Sequence, residues 1–257
     1  MTHRNLLFDL DQTLLNFHAS EHIALGLVLV SHGLNYSEDV YTYFKSYNKS
    51  LWLQLEKGII TRQELFRLRF TDIIRRCGGD PDVTDPMKVN SEFIETMSRN
   101  GVLMEGALEF IKRVKENIPD CRIWIASNGA TINAKGRIES TGLDEYIDGL
   151  YISESMGVGK PSPGFFDYIF DDIGETRESA IMIGDSLTSD MLGAKNAGIT
   201  SVWFMPEGDI ESAVREYDID YTASSFDELF EVLRKWSEAD IRRELPDRYL
   251  LRRDIGC

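Results

Sequence analysis

The stretch Leu6-Leu7-Phe8-Asp9-Leu10-Asp11-Gln12-Thr13 decides the reading of this chain, because a short apolar run ends abruptly in two carboxylates one residue apart. Such a run, bounded by polar residues, reads as a buried strand from Asn5 to Leu10. Residues two apart in a strand project to the same side. Asp9 and Asp11 are therefore expected to enter one crevice at the carboxyl end of a sheet, where open α/β folds place their ligands. A second apolar run, Ala180-Ile181-Met182-Ile183, ends in Gly184-Asp185, with Asp190 behind it. Each acid alone reads equally well as a solvated turn or a helix cap. Together they crowd like charge, at about 4 kcal/mol for two unit charges roughly 4 Å apart at an effective dielectric near 20. A hard divalent cation offsets that repulsion. Mg²⁺ in particular takes one or two carboxylates and keeps its other positions for water and phosphate oxygens.

Around these acids the hydrophobic period changes twice. From about Ala19 to Val30, Val40 to Leu55 and Leu65 to Ile74, apolar residues recur at helical spacing, and Thr61 with Glu64 fits a capping box. From about Val102 strands and helices alternate. Helices are expected at Ala107 to Asn117, Ile132 to Ser140, Pro163 to Asp172, Leu187 to Ala197 and Phe226 to Trp236. Strands are expected at Arg122 to Ala126, Leu150 to Ile152, Ala180 to Ile183 and Ser201 to Phe204. Alternation of this kind implies a parallel sheet covered on both faces. The expected fold is α/β: a Rossmann-like three-layer core with a parallel sheet, made of residues 1–15 and 102–236, plus an all-helical cap domain over 16–101. A charged tail is expected over 237–257.

Composition narrows the partners. The 257 residues are 42% hydrophobic, enough for a real core. With 43 acidic and 28 basic residues the formal charge is -15, so the surface as a whole repels nucleic acid and anionic membranes, and neither is an expected partner. An anionic substrate then needs a local positive site. Cys77, Cys121 and Cys257 are odd in number and form no metal motif, which fits free thiols in a reducing compartment. The amino terminus runs into the first strand without an apolar leader, and the expectation is a cytoplasmic protein, a monomer or homodimer.

Four motifs occur in order: Asp9-Leu10-Asp11-Gln12-Thr13, Ser127-Asn128-Gly129, Gly159-Lys160-Pro161, and Gly184-Asp185-Ser186 through Asp190. This set resembles the haloacid dehalogenase-like superfamily, and the helical insert after the first motif matches the position of that family's cap. The resemblance implies a Mg²⁺-dependent phosphatase acting on a small-molecule phosphate ester. It makes Asp9 the nucleophile, which forms an aspartyl-phosphate, and Asp11 the general acid and base. Ser127, the Asn128-Gly129 turn and Lys160 would cradle the phosphoryl oxygens. Mg²⁺ would be held by Asp9, by Asp185 and by the backbone carbonyl of Asp11, with Asp190 in support through water or Lys160. Gln12 stands where the family often has Gly or an acid, and its side chain is expected to point away. Dehalogenases of the family lack the second carboxylate, so Asp11 points to phosphate chemistry.

The stretch from Asp9 to Phe17 is similar to the opening of the family's pyrimidine nucleotidase branch, which implies a nucleoside 5′-monophosphate as substrate. The insert is rich in aromatics, among them Phe17, Tyr36, Tyr41, Tyr43, Phe44, Tyr47 and Trp52, which are expected in its core, although a nucleobase could stack on one of them. Two other readings use an aspartate, Mg²⁺ and a lysine: a sugar phosphomutase of the same fold and a phospho-accepting signalling domain.

Overall fold

The computed structural model describes residues 4–238, so most of the tail expected over 237–257 lies outside the described residues. After β1 (Arg4–Phe8) the chain enters four helices, α1 (Phe17–Ser31), α2 (Glu38–Glu56), α3 (Arg62–Arg76) and α4 (Pro86–Arg99). It then alternates: α5 (Ala107–Asn117), β2 (Cys121–Ser127), α6 (Thr131–Thr141), β3 (Gly149–Ile152), the single turn α7 (Ser153–Met156), α8 (Pro163–Ile173), β4 (Ala180–Gly184), α9 (Leu192–Ala197), β5 (Thr200–Phe204), α10 (Ile210–Tyr217), β6 (Tyr221–Ala223) and α11 (Phe226–Glu238). Two compact units result. One comprises the described residues up to Asn16 and from Leu103 onward, the other Phe17–Val102. Among the described residues, no helix is long and apolar enough to cross a membrane.

In the first unit the strands pair in the order β3-β2-β1-β4-β5-β6, all parallel. The chain starts in the middle of the sheet, builds one half outward through β2 and β3, then crosses β1 to build the other. That reversal makes the boundary between β1 and β4 the topological switch point, where a crevice opens at the strands' carboxyl ends. The register aligns Phe8 with Ile125 on one side and Ile183 on the other, so both neighbouring strands run alongside the end of β1. Side-chain alternation explains the layers. Leu6, Phe8, Ile123, Ile125, Ile181 and Ile183 point to one face under α5, α6 and α11, while Leu7, Ala126 and Met182 point to the other under α8 and α9. Strands buried on both faces read as unbroken apolar runs.

Four elements escaped the periodicity argument, the single turn α7 among them. Helix α4 starts where Asp85 accepts the Met87 N–H at 2.9 Å and Pro86 occupies the first turn, and it buries Val89, Phe93 and Met97 along one stripe. Helix α10 is capped the same way by Asp209. Strand β6 has only three residues and exists by pairing with β5, Val202 to Phe204 against Tyr221 to Ala223. The helix expected from Leu187 opens instead with a π-type turn, Leu187–Met191, before α9.

The second unit packs its helices around Leu25, Leu29, Phe44, Phe70, Ile73, Val89 and Phe93. Most of its aromatics serve this core: Phe44 is buried between Phe70 and Phe93, Phe17, Tyr36, Tyr41 and Tyr43 pack at its edge, and Tyr43 stacks on Tyr47, whereas Trp52, also expected in the core, is exposed. Cys77 is buried here; Cys121, half-buried on β2, is likewise a free thiol, and Cys257 lies outside the described residues. Beside the core runs a buried polar chain. Arg69 donates to Asn90 Oδ1 at 2.6 and 3.0 Å and to Asn48 Oδ1 at 3.3 Å, and Asn48 donates to Glu21 Oε1 at 3.3 Å. Burial pushes the Glu21 carboxyl up to about 7, against the pull of Arg69 and Lys45.

An unfolded chain loses that proton near pH 4.3 or so, whereas the folded protein keeps it to about 7. The folded state therefore binds more protons in this window, and stability falls as pH rises through it. Glu21→Gln cannot ionise. Urea unfolding at pH 5 and pH 8 is expected to show wild type losing up to about 3 kcal/mol relative to this variant; parallel stabilities at both pH values would contradict the buried, proton-retaining carboxyl.

Candidate active site

β1 ends at Phe8, and the Asp9 N–H still reaches the Ile183 carbonyl of β4 at 2.8 Å. Asp9 is thus the first residue beyond the strand, at the switch point. The chain then folds back tightly: the Leu14 and Leu15 N–H groups donate to the Leu10 carbonyl, and the Gln12 N–H to that of Leu15 at 2.7 Å. Gln12 takes a left-handed φ of 61° to make this turn, and its side-chain oxygen is buried. The loop is closed by backbone alone; the buried Thr13 hydroxyl makes no hydrogen bond.

The strand ends at Phe8, two residues short of the expected Leu10, so both acids leave from the loop, where they take different partners. Asp9 Oδ1 accepts from Lys160 Nζ at 2.7 Å, whereas both Asp11 oxygens face the Arg137 guanidinium, at 2.5 and 3.2 Å. The carboxylates that come within 4.8 Å of one another are those of Asp9, Asp185 and Asp190.

Lys160 is the hub of the site. Its ammonium is buried and donates to Asp9, to Asp190 Oδ1 at 2.6 Å and to the Ala126 carbonyl. Asn128 locks the loop that carries it: the Asn128 amide donates to the Lys160 carbonyl at 2.8 Å and its oxygen accepts the Lys160 N–H at 2.9 Å. The side-chain amide is spent on that task, and the cradle expected of the Asn128-Gly129 turn is one of backbone N–H groups, which these bonds leave untouched. Gly159 is obligatory here, since a Cβ would come within 2.7 Å of Asn128 Oδ1. Ser127, at the buried end of β2, accepts the Gly129 N–H on its hydroxyl at 3.1 Å and so shapes the turn that leads into α6.

On the other side of β1, Asp190 is fully buried under the end of β4. Besides Lys160 it accepts the Ser186 N–H at 3.0 Å and the Ser189 hydroxyl at 3.2 Å. Its carboxylate fills the place of a Gly184 side chain, because a Cβ there would lie 2.3 Å from Oδ2. The π-type turn of residues 187–191 swings Asp190 back to this position, a local widening that recurs at functional sites. Asp185 is aimed differently. Its backbone carbonyl accepts the Trp203 indole N–H at 2.9 Å, and among the described residues its carboxylate forms no salt bridge.

Electrostatics follow from this crowding. Burial pushes the Asp9 carboxyl well above its ordinary range; Lys160 pulls it back, while Asp190 and Asp11 add to the rise. Asp185 is pushed up to about 6, by burial first and then by Asp190. For Lys160, burial alone would disfavour the charge, yet Asp190 and Asp9 more than offset it and raise the ammonium above its usual value. Three carboxylates against one ammonium leave two negative charges in a half-enclosed, oxygen-rich site. That donor set and charge fit Mg²⁺.

Arg137 and Trp203 were not anticipated. Both had a signal of a kind: Arg137 is a charge on the buried stripe of α6, beside Ala134 and Ile138, and Trp203 is a hydrogen-bond donor on an otherwise apolar strand.

With this geometry in view, comparison with known proteins is consistent. Residues 3–198 match the haloacid dehalogenase-like hydrolase family. The chain is 34% identical over 207 residues to pyrimidine 5′-nucleotidase PynA of Streptococcus pneumoniae, covering 80% of this chain and 85% of that one. It is 30% identical over 237 residues to pyrimidine 5′-nucleotidase YjjG of Escherichia coli, covering 90% and 97%. The magnesium-bound crystal structure of the HAD-hydrolase YfnB from Bacillus subtilis superposes with a TM-score of 0.77 at 27% identity, over 91% of this chain and 99% of that one. With motif order, sheet topology and these matches in agreement, the chain belongs to the haloacid dehalogenase-like hydrolases.

Proposed function

We propose that this protein is a Mg²⁺-dependent phosphomonoesterase that carries the phosphoryl group transiently on Asp9. The observation that carries this reading is the buried cluster of Asp9, Asp185 and Asp190 around Lys160, with two negative charges left over. Asp9, Asp185 and the Asp11 carbonyl would hold the ion, with Asp190 fixed behind them by Lys160. A bound Mg²⁺ supplies charge neutralisation for the phosphoryl oxygens.

The chain's own residues supply the rest. Lys160 orients the Asp9 carboxyl and pulls it toward its ionised form, in which it is a nucleophile without a separate base. An Asp9 oxygen forms a bond to phosphorus as the ester P–O bond breaks, and Asp11 gives its proton to the departing alkoxide. In the second half, Asp11 takes a proton from water, whose oxygen attacks phosphorus and releases inorganic phosphate and the Asp9 carboxylate. Ser127 and the backbone N–H groups of the turn before α6 suit the phosphoryl oxygens, at a helix N-terminus where anions are favoured. The substrate class we propose is a nucleoside 5′-monophosphate, supported by the two pyrimidine nucleotidases among the relatives and by the similarity of the Asp9 to Phe17 stretch.

A panel of phosphate esters assayed with Mg²⁺ and with EDTA tests the reading. Inorganic phosphate should appear only with the metal, and Asp9→Asn should lose turnover by at least about 10⁴-fold while keeping its far-UV circular dichroism. Wild-type turnover in that variant would refute the nucleophile. Transfer of the phosphoryl group within a hexose phosphate, without free phosphate, would point to the phosphomutase instead.

Lys160→Ala should lower kcat by about 10²-fold or more, since it removes the ammonium that orients Asp9 and leaves two buried carboxylates without their shared cation; unchanged steady-state kinetics would count against its placement. For Gly184→Ala, displacement of Asp190 should cost about 1–3 kcal/mol in urea unfolding and weaken Mg²⁺ binding measured by calorimetry. Native stability with native metal affinity would show that Asp190 has no fixed place.

A further inference from the structure

The unanticipated guanidinium has a chemical consequence. We propose that Arg137 is the positioning residue for Asp11: it fixes the plane of that carboxyl group so that the proton it exchanges sits on the side turned away from Arg137. The inference rests on the assignment of Asp11 as acid and base made above.

Arg137 is 1% exposed, and its two terminal nitrogens meet the two Asp11 oxygens one to one, at 2.5 and 3.2 Å. The Asp11 side chain keeps 29% of its surface open, so the carboxyl is clamped from behind and accessible in front. A guanidinium has only donors and does not give up a proton in proteins. No proton of Asp11 can therefore lie between the two groups, and the lone pairs left for proton exchange are those on the open side. The clamped carboxylate lies beside the phosphate turn, for a Cβ on Gly129 would be 3.3 Å from Ser127 Oγ and 3.9 Å from Asp11 Oδ2. The fork thus aims the carboxyl along the turn that the phosphoryl group would occupy. Stability explains Arg137 less well. It sits on the buried face of α6, and exchanging a buried ion pair for apolar side chains is often neutral or stabilising. A lysine would supply the charge but only one point of contact, leaving the carboxyl plane free.

Leaving-group dependence separates positioning of an acid from general damage. Uridine 5′-monophosphate expels an alkoxide that needs a proton, whereas 4-nitrophenyl phosphate expels a phenolate that does not. The quantity to compare is kcat/KM, which reports steps up to transfer onto Asp9. Asp11→Asn should lose at least about 10²-fold more kcat/KM on the first ester than on the second. Arg137→Met should lose about 10–100-fold on the first with little change on the second, and should add nothing in the Asp11→Asn background. Arg137→Lys should recover only part of that loss, and it serves the same comparison if Arg137→Met does not fold.

Equal losses on both esters, additive losses in the double variant, or wild-type kinetics in both Arg137 variants would overturn the inference while leaving the phosphatase reading intact. Loss of selectivity in Asp11→Asn itself would remove the acid from the mechanism. Absence of phosphate release from either ester by wild type would remove the phosphatase reading, and the inference with it.

Discussion

A lysine ammonium buried between two carboxylates is the constraint on which the rest of this structure depends. Lys160 is 5% exposed, and taking such a charge out of water costs several kcal/mol unless partners compensate. Asp9 and Asp190 do so, from opposite sides, and each comes from a different strand end. The ion triplet therefore ties the loops after β1 and β4 to the loop before α8. Removing any one member strands the others in a low-dielectric site, so the three loops hold one another in register. In the proposed mechanism the same arrangement orients the Asp9 carboxylate before substrate arrives, and the surplus negative charge would suit a divalent cation.

The sheet order makes this meeting possible. Because β1 lies in the centre and β4 is its neighbour, residues separated by more than 170 positions in sequence end side by side at one edge. Asp9 and Asp185 need no long reach; the strand ends deliver them. Gly184 and Gly159 then matter as spaces, the first filled by the Asp190 carboxylate and the second by the Asn128 amide. Packing at these two points is what turns a generic parallel sheet into a site with fixed oxygens.

Much of this was legible in the chain before folding. The apolar runs of β1, β2, β4 and β5 end in polar turns, and the acids just past two of them announce the crevice. What the sequence hid has more than one cause. Helices α4 and α10 carry apolar stripes and side-chain caps at Asp85 and Asp209 that the periodicity argument passed over, whereas β6 is too short to show a period and is set by pairing with β5. The different partners of Asp9 and Asp11 were not legible because the strand stops at Phe8 and the loop turns through a left-handed Gln12, a conformation no pattern announces. Spacing shows that Asn128 shares a turn with Ser127 and Gly129 but not that its side-chain amide is bonded to the Lys160 loop. Arg137, 126 positions from Asp11, could be suspected only as a charge on an apolar stripe.

The central claim is that Asp9, held by Lys160, accepts the phosphoryl group before water does. The stereochemical course at phosphorus tests it most directly, using a phosphorothioate ester made chiral with two oxygen isotopes and hydrolysed in water that carries the third. Two successive in-line displacements, the first by Asp9 and the second by water, predict inorganic thiophosphate with overall retention of configuration. Inversion would mean that water attacks the ester directly, and the account of Asp9 as carrier would be wrong.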